Sequence, residues 1–321
     1  MQNSELNNFK NKRLGIVVHD AGGANNILYW LQSFLQNNPS LPWKIYARGP
    51  AIKLLNHLFP HKKSETSLLQ LVKSSELLMT GTSWGSAIEH QARQLAFKFH
   101  LPNITMLDHW VNYKDRFLFE GHHYIPDEIW VVDSEAYHIA HSLFPKASIV
   151  QIENYYFKAI QQSLRVTPYP KTFIANILYV LEPIRETWNN QFMPGEFQAL
   201  SFFFSQIQHI TSKNKVKVWL RPHPSESKEK YLPWCKTLVQ ATQTIHVKLD
   251  TKTDILSTLQ QSDYVVGCGT TAMALALYLE KIVFCSVPPG APPCALPHSK
   301  IQHLAQISHS SNLIKKPEAS Q

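Results

Sequence analysis

Short apolar runs alternate with segments of helical period along the whole chain. Residues 13–18 form a β-branched run that reads as a strand, and over 25–36 Ile27, Leu28, Leu31 and Leu35 share one face of a helix. The same alternation predicts strands over 43–47, 76–79, 104–107, 128–132 and 148–152. Helices are expected over 51–58 and 134–143, and another from Ser86, as N-cap, to Phe99. Strand, loop and helix in this rhythm define βαβ units, so the first half reads as a doubly wound parallel sheet. The stretch 161–171 breaks the rhythm with Pro168 and Pro170, which places a domain boundary there and divides the chain into 1–165 and 166–321. A second series follows, with strands over 176–181, 215–220, 244–249, 263–268 and 281–287. Its helices are expected over 196–212, 228–241, 253–260 and 270–279, before a proline-rich loop and a polar tail.

Composition narrows the class without changing the architecture. A chain of 321 residues suits two domains. No apolar run approaches the roughly 20 residues that cross a bilayer, and the polar start lacks a signal-peptide pattern, so a cytoplasmic protein is expected. Cys235, Cys268, Cys285 and Cys294 show neither a disulfide framework nor zinc spacing; Cys268 and Cys285 read as reduced core residues. The formal charge of +8 is scattered, with short clusters at Lys10, Lys12 and Arg13, at His61, Lys62 and Lys63, and at Lys315 and Lys316. Nucleic-acid signatures are missing. The charge reads as a solvated basic surface or, more sharply, as peripheral attraction to the inner face of a membrane carrying a lipid-linked acceptor.

In parallel sheets, ligands collect beyond the carboxyl ends of the strands. In the second half, one strand delivers Arg221-Pro222-His223-Pro224, a guanidinium and an imidazole on a backbone stiffened by two prolines. A later strand runs into Gly269-Thr270-Thr271-Ala272 and a helix, which makes an anion site of N–H groups and hydroxyls. The plainer alternatives are an exposed turn for the first motif and a simple helix cap at Thr270 for the second.

These motifs, with the run from Asp263 to Leu277, resemble the C-terminal half of glycosyltransferase-B enzymes. The likeness is to His-Pro-motif bacterial surface-polysaccharide transferases such as sialyltransferases. CDP-glycerol glycerophosphotransferases and UDP-N-acetylglucosamine 2-epimerases look similar in the same place. The resemblance implies two Rossmann-like domains facing a central cleft, with His223, Thr270 and Thr271 on the donor phosphates beside Arg221 and Gly269. It also turns the Glu182-Pro183-Ile184-Arg185-Glu186 loop toward the ligand, with Arg185 as a phosphate candidate and Glu182 as a sugar contact; an ion pair between Arg185 and Glu186 is the alternative. Many relatives carry a ribose-binding Glu where this chain has Ala274. A different nucleotide or a different ribose contact is therefore expected.

The first half is expected to hold the acceptor and the proton-transfer group. Its first strand ends at His19-Asp20-Ala21-Gly22-Gly23, resembling the glycine-rich first loop of these enzymes. An imidazole oriented by a carboxylate suits deprotonation of a sugar hydroxyl, so His19 and Asp20 are candidates for the base; a packed His beside a turn-forming Asp is the alternative. Thr82, Ser83 and Trp84 offer hydroxyls and an aromatic face. The cluster Asp108-His109-Trp110-Val111-Asn112-Tyr113-Lys114-Asp115-Arg116-Phe117 adds two further catalytic candidates, Asp108 and His109, with Trp110 and Tyr113 as stacking surfaces and Asn112 as a polar contact. No metal-ligand spacing is recognisable, and neither a metal nor a cofactor is expected. The expected function is metal-independent transfer of a sugar from a nucleotide donor to a glycan or lipid-linked acceptor. The alternatives are a nucleotide-sugar 2-epimerase or hydrolase, or a non-catalytic nucleotide-binding protein.

Overall fold

The computed structural model describes residue 9 and residues 12–164, 173–189, 191–235, 244–252 and 254–307. It falls into two compact units, Met1–Ala159 and Ile160–Gln321.

In the first unit, strand β1 (Leu14–Val18) is buried along its whole length, as a strand covered on both faces must be. Successive side chains point to opposite faces. Ile16 and Val18 pack with Ile27, Leu31 and Phe34 of helix α1 (Ala21–Asn37). Val17 instead meets Leu71 and Val72 of helix α3 (Leu68–Ser74), with Ala92 and Ala96 of helix α4 (Ile88–Lys98). The remaining strands are β2 (Trp43–Ala47), β3 (Leu77–Thr80), β4 (Asn103–Met106), β7 (Glu128–Val131) and β8 (Ser148–Gln151). Helix α2 (Ala51–Leu58) follows β2, α5 (Ser134–Leu143) follows β7, and α6 (Tyr155–Leu164) follows β8. The six strands run β2-β1-β3-β4-β7-β8 with every pairing parallel. Ile16 stands opposite Ile45 on one side and Met79 on the other, so the winding reverses between β1 and β3. A small antiparallel hairpin, β5 (Leu118–Phe119) and β6 (His122–His123), lies outside this sheet.

The second unit repeats the plan. Strands β9 (Ile174–Val180), β10 (Lys215–Arg221), β11 (Ile245–Leu249), β12 (Tyr264–Gly267), β13 (Ile282–Cys285) and β14 (Gln302–His303) run β11-β10-β9-β12-β13-β14, all parallel. The winding reverses between β9 and β12. Ile177 and Tyr179 of β9 pack with Leu200 and Phe203 of helix α7 (Gly195–Gln206). Helices α8 (Leu256–Gln261) and α9 (Thr271–Tyr278) flank β12.

The expected strands are present, each shifted by a few residues at most, and several other expectations are corrected. Helix α1 begins at Ala21, so the glycine pair forms its first turn and not a loop. The helix expected over 196–212 stops at Gln206 and gives way to a 3₁₀ turn, Ile207–His209. The one expected over 228–241 opens as a 3₁₀ turn, Lys228–Tyr231, and its residues 236–241 lie outside the described residues. Part of the supposed polar tail is β14, and α3 and α6 had no forecast. Of the expected boundary segment, residues 165–171 lie outside the described residues, as do Lys10, Lys315 and Lys316. No described helix is long and apolar enough to cross a membrane.

Candidate functional site

Where a parallel sheet reverses its winding, the loops leaving the two central strands part and leave room for a ligand. In the first unit those loops follow β1 and β3, joined by the loop after β4. They carry His19 and Asp20, Gly81 to Ser86 and Asp108 to Tyr113, with Gly22 and Gly23 in the first turn of α1.

His19 and Asp20 form a dyad. Nδ1 of His19 lies 2.6 Å from Oδ1 of Asp20. The other carboxylate oxygen accepts the N–H groups of Trp84 at 3.0 Å and Gly85 at 3.3 Å. Asp20 stands at the N-cap of α1 yet makes no side-chain cap bond, because both its oxygens are engaged across the loops. Gly49 lies against the imidazole on its Nε2 side. Its φ is +54°, and a Cβ there would stand 2.6 Å from Nε2 of His19, so only glycine fits. Nε2 makes no hydrogen bond to the described residues.

Asp108 is held from two sides. Its Oδ1 accepts from Thr82 Oγ1 at 3.2 Å and from Arg116 at 3.1 Å. Burial raises its pKa, against the pull of the Arg116 guanidinium. A Cβ on Gly22 would lie 2.1 Å from its Oδ2, so the first glycine of the pair makes room for this carboxylate against the start of α1.

Three charged residues to which sequence reasoning assigned no role fix these loops. Arg116, only 5% exposed, also donates to the Thr82 carbonyl at 2.8 Å and the Val111 carbonyl at 3.0 Å. Arg93, fully buried, donates to the Gly81 carbonyl at 2.9 Å and the Arg116 carbonyl at 2.9 Å. Glu89, 1% exposed, accepts the His19 N–H at 3.1 Å and the Ser83 N–H. It thereby clamps the loop after β1 to the loop after β3. Burial pushes its pKa up to about 7, outweighing those hydrogen bonds and Arg93.

Some expected contacts are corrected by packing. Trp110 and Tyr113 are 5% and 1% exposed, so neither ring is a free stacking surface. Trp110 donates to Asp133 at 2.8 Å, and the Tyr113 hydroxyl is buried with no partner among the described residues. Asn112 sits at φ +58° and accepts the Arg116 N–H, which makes it a turn former. Burial, helped by Arg116, pushes His109 down to about 4, and its Nδ1 is buried without a partner. At neutral pH it is uncharged and a weak base. Thr82 and Ser83 are buried, whereas Trp84 is 60% exposed and remains available to a ring.

In the second unit the corresponding loops follow β9, β10 and β12. Arg221 is anchored through Nη1, which pairs with the buried Asp250 at 2.6 Å and donates to the Asp254 carbonyl at 3.1 Å. Asp250 also accepts from Thr258 at 2.8 Å, so the set ties β10 to β11 and α8. His223 is exposed. Its Nδ1 accepts the Ser225 N–H at 3.2 Å and lies 2.7 Å from the Ser225 hydroxyl. Arg185 pairs with Glu226 and not with Glu186, linking the loops after β9 and β10.

At the reversal, Thr270 caps α9 through its backbone. Its side chain makes no cap bond, and Oγ1 is buried with no partner among the described residues. A buried hydroxyl without a partner is costly. Thr271 opens the helix beside it. A cavity of about 400 Å³ opens next to Gly269, lined by Glu182, Ile184, Trp188, Val287 and Pro292. Burial raises the pKa of Glu182, against a hydrogen bond from the Gly269 N–H.

No protein-family model matches this sequence, and no curated protein sequence does. Solved structures do resemble it. The UDP-GlcNAc 2-epimerase of Methanocaldococcus jannaschii aligns with a TM-score of 0.62 at 9% identity, covering 96% of this chain and 94% of that one. The Neisseria meningitidis UDP-GlcNAc 2-epimerase, bound to UDP-GlcNAc, aligns at 0.60 and 11%, over 95% and 92%. MurG of Acinetobacter baumannii aligns at 0.52 and 9%, over 95% and 91%. The fold is GT-B. Identities this low establish the shared fold of two Rossmann-like domains and leave the chemistry to the site residues.

Proposed function

We propose that this chain is an enzyme of nucleotide-activated sugars, transferring the sugar to a hydroxyl of a glycan or lipid-linked acceptor. The observation that carries the reading is the His19–Asp20 dyad, with one imidazole nitrogen oriented by a carboxylate and the other without a hydrogen bond to the described residues. In this reading His19 Nε2 takes the acceptor proton, and Asp20 holds the ring and stabilises the imidazolium. Trp84 offers the acceptor a face to stack on. The second unit binds the donor. The His223 imidazole, the hydroxyls of Thr270 and Thr271, and the N–H groups opening α9 offset charge on the leaving phosphate. Glu182 faces the sugar. The resemblance to His-Pro-motif polysaccharide transferases supports this assignment, and the known ligands of the GT-B neighbours agree with a nucleotide sugar.

A nucleotide-sugar 2-epimerase or hydrolase is the second reading. Asp108 favours it, being a buried carboxyl with raised proton affinity that can exchange a proton with a sugar and needs no acceptor. Following donor consumption by chromatography with and without a surface-glycan acceptor separates the two. Transfer predicts slow hydrolysis that an acceptor accelerates. Rapid consumption without an acceptor would replace the transferase reading with the second.

A further inference from the structure

Strands β9 and β12 of the second unit are buried on both faces along nearly their whole length, as strands of a helix-covered parallel sheet must be. The edge of the sheet departs from this. Along β10 the burial alternates: Val216, Val218 and Leu220 lie in the core, whereas Lys217 and Trp219 stand on the other face and are half-buried. The edge strand β11 does the same, with Val247 buried between the exposed His246 and Lys248. The register sets Lys217 opposite His246 and Trp219 opposite Lys248, so these four side chains form one block on one face.

Lys252, exposed in the loop after β11, reaches the same block. Its Nζ lies 6.0 Å from the centroid of the Trp219 ring, and Nζ of Lys217 lies 4.3 Å from that centroid. Two ammonium groups therefore flank one indole, and a third stands beside it on the neighbouring strand. None of the three lysines forms an ion pair among the described residues. Burial, and then repulsion from Lys248 and Lys252, lowers the pKa of Lys217, so these charges act on one another. An anion laid against the block relieves that crowding.

We propose that this face of β10 and β11, together with Lys252, docks the protein on an anionic phospholipid bilayer through the headgroup phosphates. Charge complementarity selects the occupant. A protein partner needs an apolar centre, and lysine is depleted from such interfaces. The one large apolar side chain here, Trp219, has lysine over its ring. A single-stranded nucleic acid stacks its bases on open aromatic faces, which the same lysine obstructs. Anionic headgroups need only fixed cations near the surface. The inference does not depend on the reaction proposed above, because lipid binding requires neither donor nor acceptor.

Vesicle co-sedimentation tests it on the full chain. Phosphatidylcholine vesicles containing phosphatidylglycerol should carry the protein down at low salt, and vesicles of phosphatidylcholine alone should not. Salt at about 1 M, where the Debye length falls to about 3 Å, should release it. The triple variant Lys217→Gln, Lys248→Gln, Lys252→Gln should bind roughly 100-fold more weakly, about fivefold for each charge, with its melting temperature held. The control triple variant Lys53→Gln, Lys63→Gln, Lys146→Gln removes the same charge from exposed positions of the first unit and should stay within about threefold of wild type. Lys248→Glu, at an exposed position outside the contacts to the Trp219 ring, should alone weaken binding by about tenfold or more. Equal losses in the two triple variants, or no binding to the anionic vesicles, would overturn the proposal. Capture of the protein by a single-stranded oligonucleotide while the vesicles stay bare would assign the face to nucleic acid instead.

Discussion

Nδ1 of His19 and Oδ1 of Asp20 are 2.6 Å apart, while the second Asp20 oxygen holds the Trp84 and Gly85 N–H groups. Asp20 therefore orients the ring and the neighbouring loop at once. Asp20→Asn sets an amide where one of these contacts needs an acceptor. Turnover is expected to fall about 10²–10⁴-fold with nucleotide-sugar affinity nearly unchanged. Steady-state kinetics beside a calorimetric donor titration checks both halves.

Arg221 belongs to the framework. Its guanidinium neutralises the buried Asp250, so Arg221→Ala leaves an unpaired carboxylate beneath β11 and is expected to cost about 3–5 kcal/mol of stability. Denaturant unfolding measures this. A small loss with a large drop in donor affinity would return Arg221 to the phosphate site.

Glu89 makes stability depend on pH. Its pKa is raised from 4.5 to about 7 in the folded protein, so the folded state holds its proton more tightly than the unfolded chain. Its contribution is most favourable below about pH 4.5 and is lost as pH rises through about 7, a change of about 3 kcal/mol. Glu89→Gln removes this dependence. The stability of wild type relative to the variant should fall with rising pH across that window and level off above it, as read by denaturant unfolding at each pH.

The strands were legible because β-branched runs such as Leu14–Val18 are covered on both faces and need no polar alternation. The loops at their ends followed from order alone. Glu89 and Arg93 were not legible, because charges in a helical segment read as its wet face. Yet they share the stripe of Ala92 and Ala96, the spacing that faces the sheet, and that was the available signal. Gly22 and Gly23 read as part of a glycine-rich loop, whereas they open α1. What approaches Gly22 is the Asp108 carboxylate, from a strand end 86 positions along, which local pattern cannot reveal.

Gly22→Ala accordingly tests the first unit from another side. The added methyl meets Asp108, and overpacking is expected to cost about 1–3 kcal/mol. Asp108→Ala alone leaves Arg116 unpaired, so thermal unfolding of both single variants and the double variant is compared, and Gly22→Ala should cost less in the Asp108→Ala background than in wild type. An equal cost in both backgrounds would mean that the two residues do not meet.

The central claim is that the second unit binds a nucleotide sugar through the start of α9, and Thr270→Val tests it most directly. The hydroxyl has no partner to lose within the described residues and valine keeps its shape, so the melting temperature should hold or rise. Titration calorimetry across CMP-, CDP-, UDP- and GDP-sugars should find one nucleotide preferred by the wild-type protein. The variant should bind that donor about five- to tenfold more weakly, the worth of one phosphate hydrogen bond. Absence of binding to every donor, or equal affinity in wild type and variant, would contradict the account.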